Sequence, residues 1–317
     1  MEKNRLLAII DKFNGKHILV VGDVMLDKYI WGTVSRVSPE APVLVLDVEY
    51  ESFAPGGAGN TACNVTTLGG KATVVGVTGE DKNRKVLLDL LEQQKINSYL
   101  LKEGRLTTMK IRAMEKKSQL LRIDYETKQY ISETSEEEII RFVKSLNNID
   151  AIIISDYAKG VVTQNLLKMI EPLGLPIFID PKPKHKSFYK NIGATLIKPN
   201  YKEAIELIDG AKKDIKEIGC ELIKEFKTNF LITREDGMDL FELNGEISSM
   251  YSKAKEVYDV TGAGDTVIAA FALAFTANAT LKEAMYISRY AGEAKISKIG
   301  TSPVTIKELK NSIENFL

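Results

Sequence analysis

The sequence predicts an α/β protein with a mainly parallel central sheet, helices on both faces and a small β subdomain laid across it. Three observations carry this. Short, continuous apolar runs such as "HILVVG" (His17–Gly22), "AIIIS" and "PIFID" alternate with helical stretches, as buried parallel strands do. Two regions, about 29–53 and 107–125, alternate apolar with polar residues and so read as half-exposed strands outside that layer. Glycine-rich turns stand directly before helical segments at Gly57 and Gly262. The whole chain, 1–317, reads as one domain with a discontinuous β lid formed by those two regions.

The elements follow in order. "MEKNRLLAIIDKFNGK" has a short apolar stretch with interleaved charges and reads as an amphipathic helix, not a leader. "HILVVG" is a buried strand and "VLVLDVEY" a half-exposed one. "AGNTACNVTTLGG" carries Ala62, Val65 and Leu68 at helical spacing and stops at Gly69. "ATVVGVTG" is a strand and "RKVLLDLLEQQ" a helix. "TTMKIRAM" and "QLLRIDYE" form a hairpin around Lys116–Ser118, with Tyr29 and Trp31 packing the lid. "SEEEIIRFVKSL" opens with a capping box from Ser135 to Glu138. "AIIIS", "PIFID", "ATLIKPN" and "FLITR" complete the strands.

Bulk chemistry excludes several classes. Lys+Arg and Asp+Glu both number 43, so no general basic field draws nucleic acid. No run of about 18 apolar residues is present, so no membrane partner is expected. Cys63 and Cys220 lie far apart, without metal-ligand spacing, as reduced cytoplasmic thiols do. His17 and His185 sit in no motif and earn no catalytic role.

Two glycine motifs compete for the chemistry. "GGKA" (Gly69–Ala72) lacks the early glycine and final Ser/Thr of a P-loop. "GAGNTA" (Gly57–Ala62) matches G-x-G-x-x-A, with Glu80 about 20 residues on, as a dinucleotide site requires. An NAD-dependent oxidoreductase is therefore one alternative, although the preceding strand is half-polar and ends in Pro55. In "TGAGDT", Gly262, Ala263 and Gly264 offer consecutive amides for an anion. Asp265 follows, placed to take a proton from an attacking hydroxyl. The bland alternative is a helix start with an early-turn acid.

"DVTGAGDT", "PGGAGNTACNVTTLGG" and "KPNYKE" (Lys198–Glu203) resemble, in order, the C-terminal signature, the N-terminal glycine signature and the N-x-x-E motif of the ribokinase-like (PfkB) carbohydrate kinases. The resemblance implies a ribokinase-like three-layer fold and use of ATP with Mg²⁺. "VVGDVMLDKYIWGTVSRVSPEAPV" and "ISDYAKG" further resemble the kinase domain of bacterial D-glycero-β-D-manno-heptose 7-phosphate kinases, which make the 1,7-bisphosphate for lipopolysaccharide precursors. In many of those a nucleotidyltransferase domain follows, so this chain reads as a stand-alone kinase or an excised domain. "PKHKSFYKN", after "IDPK", is longer and more basic than that resemblance implies. Other acceptors within the class are a fructose phosphate, ribose or a nucleoside, and a non-catalytic binding protein on the same scaffold is a further alternative.

The resemblance implies roles for particular residues. Asp265 would be the base, with Gly262, Ala263 and Gly264 as the anion hole. Asp27 with Asp23, and Asn60 with Gly57, would bind sugar hydroxyls. Asn200 and Glu203 would orient nucleotide phosphates and Mg²⁺ through water; as residues, they also fit a helix cap and capping box. Thr233, Arg234 and Gly237 would lie by the nucleotide. A phosphorylated acceptor needs cations. Lys110 and Arg112 share one face of a strand, Arg122 lies on its partner strand, and Lys159 ends "SDYAK". A solvated charged face is the other reading of those four. An exposed flank of the β layer offers a surface for a homodimer through the lid.

Overall fold

The computed structural model describes residues 2–210, 214–251, 261–298 and 302–316. The strands among them are β1 (His17–Gly22), β2 (Val24–Val37), β3 (Leu44–Gly57), β4 (Lys71–Thr78), β5 (Asn97–Lys102), β6 (Met109–Glu115) and β7 (Ser118–Tyr125). They continue with β8 (Ala151–Ser155), β9 (Ile177–Asp180), β10 (Leu196–Ile197), β11 (Asn229–Arg234), β12 (Gly237–Phe241) and β13 (Ile247–Tyr251). Nine of these form one sheet in the order β13-β12-β11-β10-β9-β8-β1-β4-β5. Pairing is parallel from β5 through β11, and antiparallel for β12 and β13. This is the predicted three-layer α/β arrangement.

Strand alternation splits the core between the two faces of the sheet. Ile18 and Val20 of β1 pack into the layer that holds the helix Ala263–Thr276, while Leu19 and Val21 pack into the opposite layer. All four are fully buried, and each such side chain contributes about 1.5–3 kcal/mol on leaving water. Burial on both sides is why these strands read as unbroken apolar runs.

The other four strands form a separate sheet in the order β3-β2-β6-β7. Its strands are longer than their polarity suggested, because the β2–β3 ladder runs from Val24↔Gly57 out to Val37↔Leu44. Register places Ala54, Asp27, Lys110 and Asp124 in one row across the sheet. The next row, Phe53, Lys28, Ile111 and Ile123, faces the other side; Ser52, Tyr29, Arg112 and Arg122 return to the first. Trp31 stacks between Tyr29 and Tyr50, at centroid distances of 5.8 and 5.9 Å.

One boundary differs from expectation. The helix Glu133–Ser145 starts before the anticipated capping box, because the Ser132 hydroxyl accepts from the Ser135 amide. Ser132 is thus the cap, and Ser135 lies within the first turn.

Candidate active site

The carboxyl ends of β1, β8, β9 and β10 deliver Asp23, Asp156, Asp180 and Lys198 to one edge of the large sheet. The helix Ala263–Thr276 begins at the same edge. Its cap, Gly262, has φ +74°, and a Cβ there would lie 2.7 Å from Asn60 Nδ2. Both the left-handed backbone and the crowding require glycine. A cavity of about 1190 Å³ opens at this turn. Its lining includes Gly262, Ala263, Gly264 and Asp265, and the sequence-predicted Asn200, Glu203, Thr233, Arg234 and Gly237. Residues 257–260 of the glycine motif lie outside the described residues.

Asp265 is 5% exposed. Its Oδ2 accepts from Asn60 Nδ2 at 2.5 Å. Its Oδ1 accepts from Thr61 Oγ1 and from the Tyr157 hydroxyl, both at 3.0 Å. Burial raises the Asp265 pKa above the usual carboxylate value; the bonds from Asn60, Tyr157 and Thr61 and the nearby Lys198 charge oppose this. A carboxylate whose pKa is raised in this way is a stronger base than an exposed one. Burial and the Asp265 charge hold the Tyr157 phenol well above its ordinary pKa, so it remains a donor.

Asp180 and Lys198 form an ion pair at 3.1 Å on the cavity wall. A Cβ on Gly264 would stand 3.2 Å from Lys198 Nζ, so the ammonium lies against the amide turn. Burial pushes the Asp180 carboxyl up to about 6, Lys198 opposing and Asp265 and Glu203 adding to the rise. Asn200 caps the helix Tyr201–Leu207 by accepting from the Glu203 amide at 2.9 Å, and Glu203 accepts in return from Asn200 N at 3.2 Å. Glu203 also accepts from Lys182 Nζ at 3.1 Å. Arg234 pairs with Asp239 and Asp236 at 2.8 and 2.7 Å.

The sugar-side candidates divide. Asn60 meets Asp265 directly. It also lines a second cavity of about 310 Å³, with Tyr29 and Trp31. Asp27 is buried and paired with Arg112 at 2.7 Å. Asp23 is turned to the chain itself. Its Oδ2 accepts from the amides of Tyr157 and Lys159 at 2.8 and 3.0 Å, and its Oδ1 from Val161 at 3.0 Å. It therefore fixes the loop that carries Tyr157. Gly57 caps the helix Ala58–Thr67 with φ +56°.

Each phosphate-capture candidate has a carboxylate neighbour. Lys110 lies 4.0 Å from Asp124, Arg122 3.0 Å from Asp124, and Lys159 2.6 Å from Glu126. Arg122 is half exposed, at 51%. Burial lowers the Lys110 pKa, with Asp124 opposing and the charges of Arg122 and Lys159 reinforcing the fall. The cations thus share one electrostatic neighbourhood bridging the small sheet and the loop after β8.

The dinucleotide alternative for Gly57–Ala62 is corrected. The strand before it, β3, pairs antiparallel with β2 in the small sheet, so no parallel βαβ unit surrounds the motif. Asn60, inside it, is bound to Asp265. His185 is buried, bonded through Nδ1 to Asp156 at 2.7 Å and through Nε2 to Tyr130 at 3.1 Å. The basic departure "PKHKSFYKN" thus braces Asp156, with the Tyr189 hydroxyl donating to the same oxygen.

Sequence reasoning missed Thr61, Tyr157, Asp180 and Lys198 as site residues. For Tyr157, Asp180 and Lys198 the available signal was a polar or charged residue at, or just past, the carboxyl end of an apolar strand, as in "PIFID" and "ATLIKPN"; Thr61 lies within the helix Ala58–Thr67 and carries no such signal.

The Mg²⁺ expectation fits the oxygen donors here. Asp180 and Glu203 interact electrostatically on one wall beside Asn200, and a hard cation takes one or two carboxylates and keeps water. Among the described residues, no cluster of three His, Cys, Asp or Glu side chains could cage a metal.

The chain is 40% identical over 300 residues to the "Bifunctional protein HldE" of a Nitratiruptor species, covering 92% of this chain and 64% of that protein. It is 40% identical over 309 residues to the HldE of Proteus mirabilis, covering 95% and 64%. The chain therefore spans somewhat under two thirds of these relatives. The fold superposes on phosphofructokinase-2 from Escherichia coli, in complex with substrates and products, with a TM-score of 0.80 at 19% identity, over 95% of this chain and 99% of that one. Residues 16–308 match the description "pfkB family carbohydrate kinase", and the chain accordingly belongs to the pfkB family of carbohydrate kinases.

Proposed function

We propose that the chain transfers the γ-phosphoryl group of ATP to O1 of D-glycero-β-D-manno-heptose 7-phosphate, giving the 1,7-bisphosphate used for ADP-heptose and lipopolysaccharide synthesis in the cytoplasm. The observation that carries the reading is the buried Asp265 carboxylate, held by Asn60, Thr61 and Tyr157 behind the amide turn Gly262–Gly264 at the mouth of a large cavity. The acceptor hydroxyl attacks in line, Asp265 takes its proton, and the amides of Gly262, Ala263 and Gly264 hold the developing charge. Asn60 and Asp27 orient sugar hydroxyls. Thr233, Arg234 and Gly237 flank the nucleotide. Mg²⁺ near Asn200, Glu203 and Asp180 would neutralise phosphate charge.

The heptose phosphate reading is supported by the similarity to HldE proteins and by Lys110, Arg112, Arg122 and Lys159. Their carboxylate partners, Asp27, Asp124 and Glu126, balance them until a phosphate takes their place. The small sheet acts as the lid, its Asp27–Arg112 face turned to the acceptor. Its opposite face carries Phe53, Leu121 and Ile123, exposed at 37%, 56% and 43%, which supports pairing of two subunits through the lid. The test is ADP release with ATP and a panel of heptose, hexose and pentose sugars, free and phosphorylated, with ribose and nucleosides included. Highest kcat/KM on heptose 7-phosphate is expected. A higher value on fructose phosphate or an unphosphorylated sugar would reassign the acceptor.

A further inference from the structure

His185 is 2% exposed and ends the short turn Pro183–His185 after β9, in the stretch that departs from the heptose kinase resemblance. Its ring stacks on Phe188 at a centroid distance of 4.7 Å. Nδ1 lies 2.7 Å from Asp156 Oδ2, and Nε2 lies 3.1 Å from the Tyr130 hydroxyl. A carboxylate only accepts, so Nδ1 carries the proton, and in the neutral ring Nε2 accepts from Tyr130. Asp156 in turn shapes the loop after β8. Its Oδ1 accepts from the Ala158 amide at 2.7 Å, across a turn in which Ala158 takes φ +54°. A residue with a Cβ is strained there, so its surroundings must hold the turn. Asp23 Oδ2 takes the amides of Tyr157 and Lys159 on either side. Two carboxylates thus hold three consecutive amides. Tyr157, among them, lines the large cavity and reaches Asp265 Oδ1 at 3.0 Å.

We infer that His185 is a positioning residue for the base: through Asp156 it holds the Tyr157 hydroxyl on Asp265, without touching either substrate. This rests on the kinase reading above. Three contacts make the chain, at 2.7, 2.7 and 3.0 Å. His185 and the Tyr189 hydroxyl both donate to Asp156 Oδ2, which leaves Oδ1 for the Ala158 amide and sets the angle of the carboxylate. Without His185 one of those two donors is gone, and the carboxylate that spans the strained turn is less firmly fixed. Tyr157 then has only Asp23 to hold its backbone, and its hydroxyl supports the base less well.

The variants His185→Asn and His185→Gln separate the two ring nitrogens. The amide nitrogen of an asparagine falls near Nδ1 and keeps a donor for Asp156; that of a glutamine falls near Nε2 and does not. Both lose the ring on Phe188, so the packing loss is common to the pair, and thermal melts measure it. The test reads kcat, KM for ATP and the pH profile of kcat/KM in wild type, the two variants, Tyr157→Phe and the double variant Tyr157→Phe/His185→Gln. His185→Gln should lower kcat roughly 2–10-fold, the worth of one hydrogen bond, and leave KM for ATP near the wild-type value. It should also move the acid limb to higher pH, as Tyr157→Phe does. His185→Asn should keep most of the wild-type rate and the wild-type limb. In the Tyr157→Phe background the glutamine should shift the limb little further, because the link it acts through is already gone. Tyr189→Phe removes the other donor to Asp156 Oδ2 and should move the limb the same way, which keeps the test open if His185→Gln does not fold. Equal shifts in the Asn and Gln variants, a Gln shift that adds in full to that of Tyr157→Phe, or an unmoved limb in Tyr189→Phe would make His185 a packing residue and overturn the inference, leaving the kinase reading intact. If wild type shows no ATP-dependent turnover on any sugar, both readings fall.

Discussion

Gly262→Ala tests the turn on which the site depends, and its effect can be worked from two numbers. The residue sits at φ +74°, where a side chain costs roughly 1–2 kcal/mol. Its new Cβ would also fall 2.7 Å from Asn60 Nδ2, closer than real contacts allow. Asn60 must move, and it is the 2.5 Å donor to Asp265 Oδ2. A hydrogen bond to a charged group contributes about 1.5–3 kcal/mol. If half or more of that is lost in the transition state, kcat/KM falls about 3–150-fold, at about 1.4 kcal/mol per decade. The control is Gly15→Ala, at φ +86° with nothing within 4 Å of the added carbon. It carries the backbone strain alone, far from the site. Denaturant melts and ADP-release kinetics on both variants separate the effects. Both should lose similar backbone stability, and only Gly262→Ala should lose activity beyond a factor of about two. If the two variants match in kinetics, the contact with Asn60 is immaterial and the reasoning fails.

Three further outcomes follow. Tyr157→Phe removes one of the bonds that oppose the rise in the Asp265 pKa, so that pKa should climb further and the acid limb of the kcat/KM–pH profile should move to higher pH; an unmoved or lowered limb would detach Tyr157 from the base. Lys110→Ala and Lys159→Ala should each raise KM for the phosphorylated sugar by roughly 10–150-fold and barely change use of the free sugar, whereas Arg112→Ala, which also unpairs Asp27, should weaken use of both; equal losses on both sugars in the two lysine variants would unseat phosphate capture. Sugar phosphate should slow amide hydrogen exchange in both 29–53 and 107–125, and unchanged protection in either segment would count against a closing lid.

The central sheet was legible because strands such as His17–Gly22 and Ala151–Ser155 are buried on both faces and so carry an unbroken apolar signal. The small sheet was harder to bound. Val24–Leu26 at the start of β2 is buried like a core strand, so polarity alone hid the join. In the site, Asp265 was legible from its glycine turn. Its three donors were not, since Asn60 lies 205 residues away and only the packing of two helices brings it to 2.5 Å. Asp23 shows the converse. Its type and position suit a sugar ligand, yet three loop amides claim its oxygens, and no local pattern records those partners.

Turnover and nucleotide affinity of Asp265→Asn, measured together, test the central claim most directly. The substitution keeps the shape of the side chain and removes its capacity to accept a proton. The account predicts that turnover falls by ~10²–10⁴-fold, the usual worth of a positioned base, while the Kd for ATP stays near the wild-type value. Near-normal turnover in the variant would contradict it, because the acceptor's proton would then be leaving by a route that does not pass through Asp265.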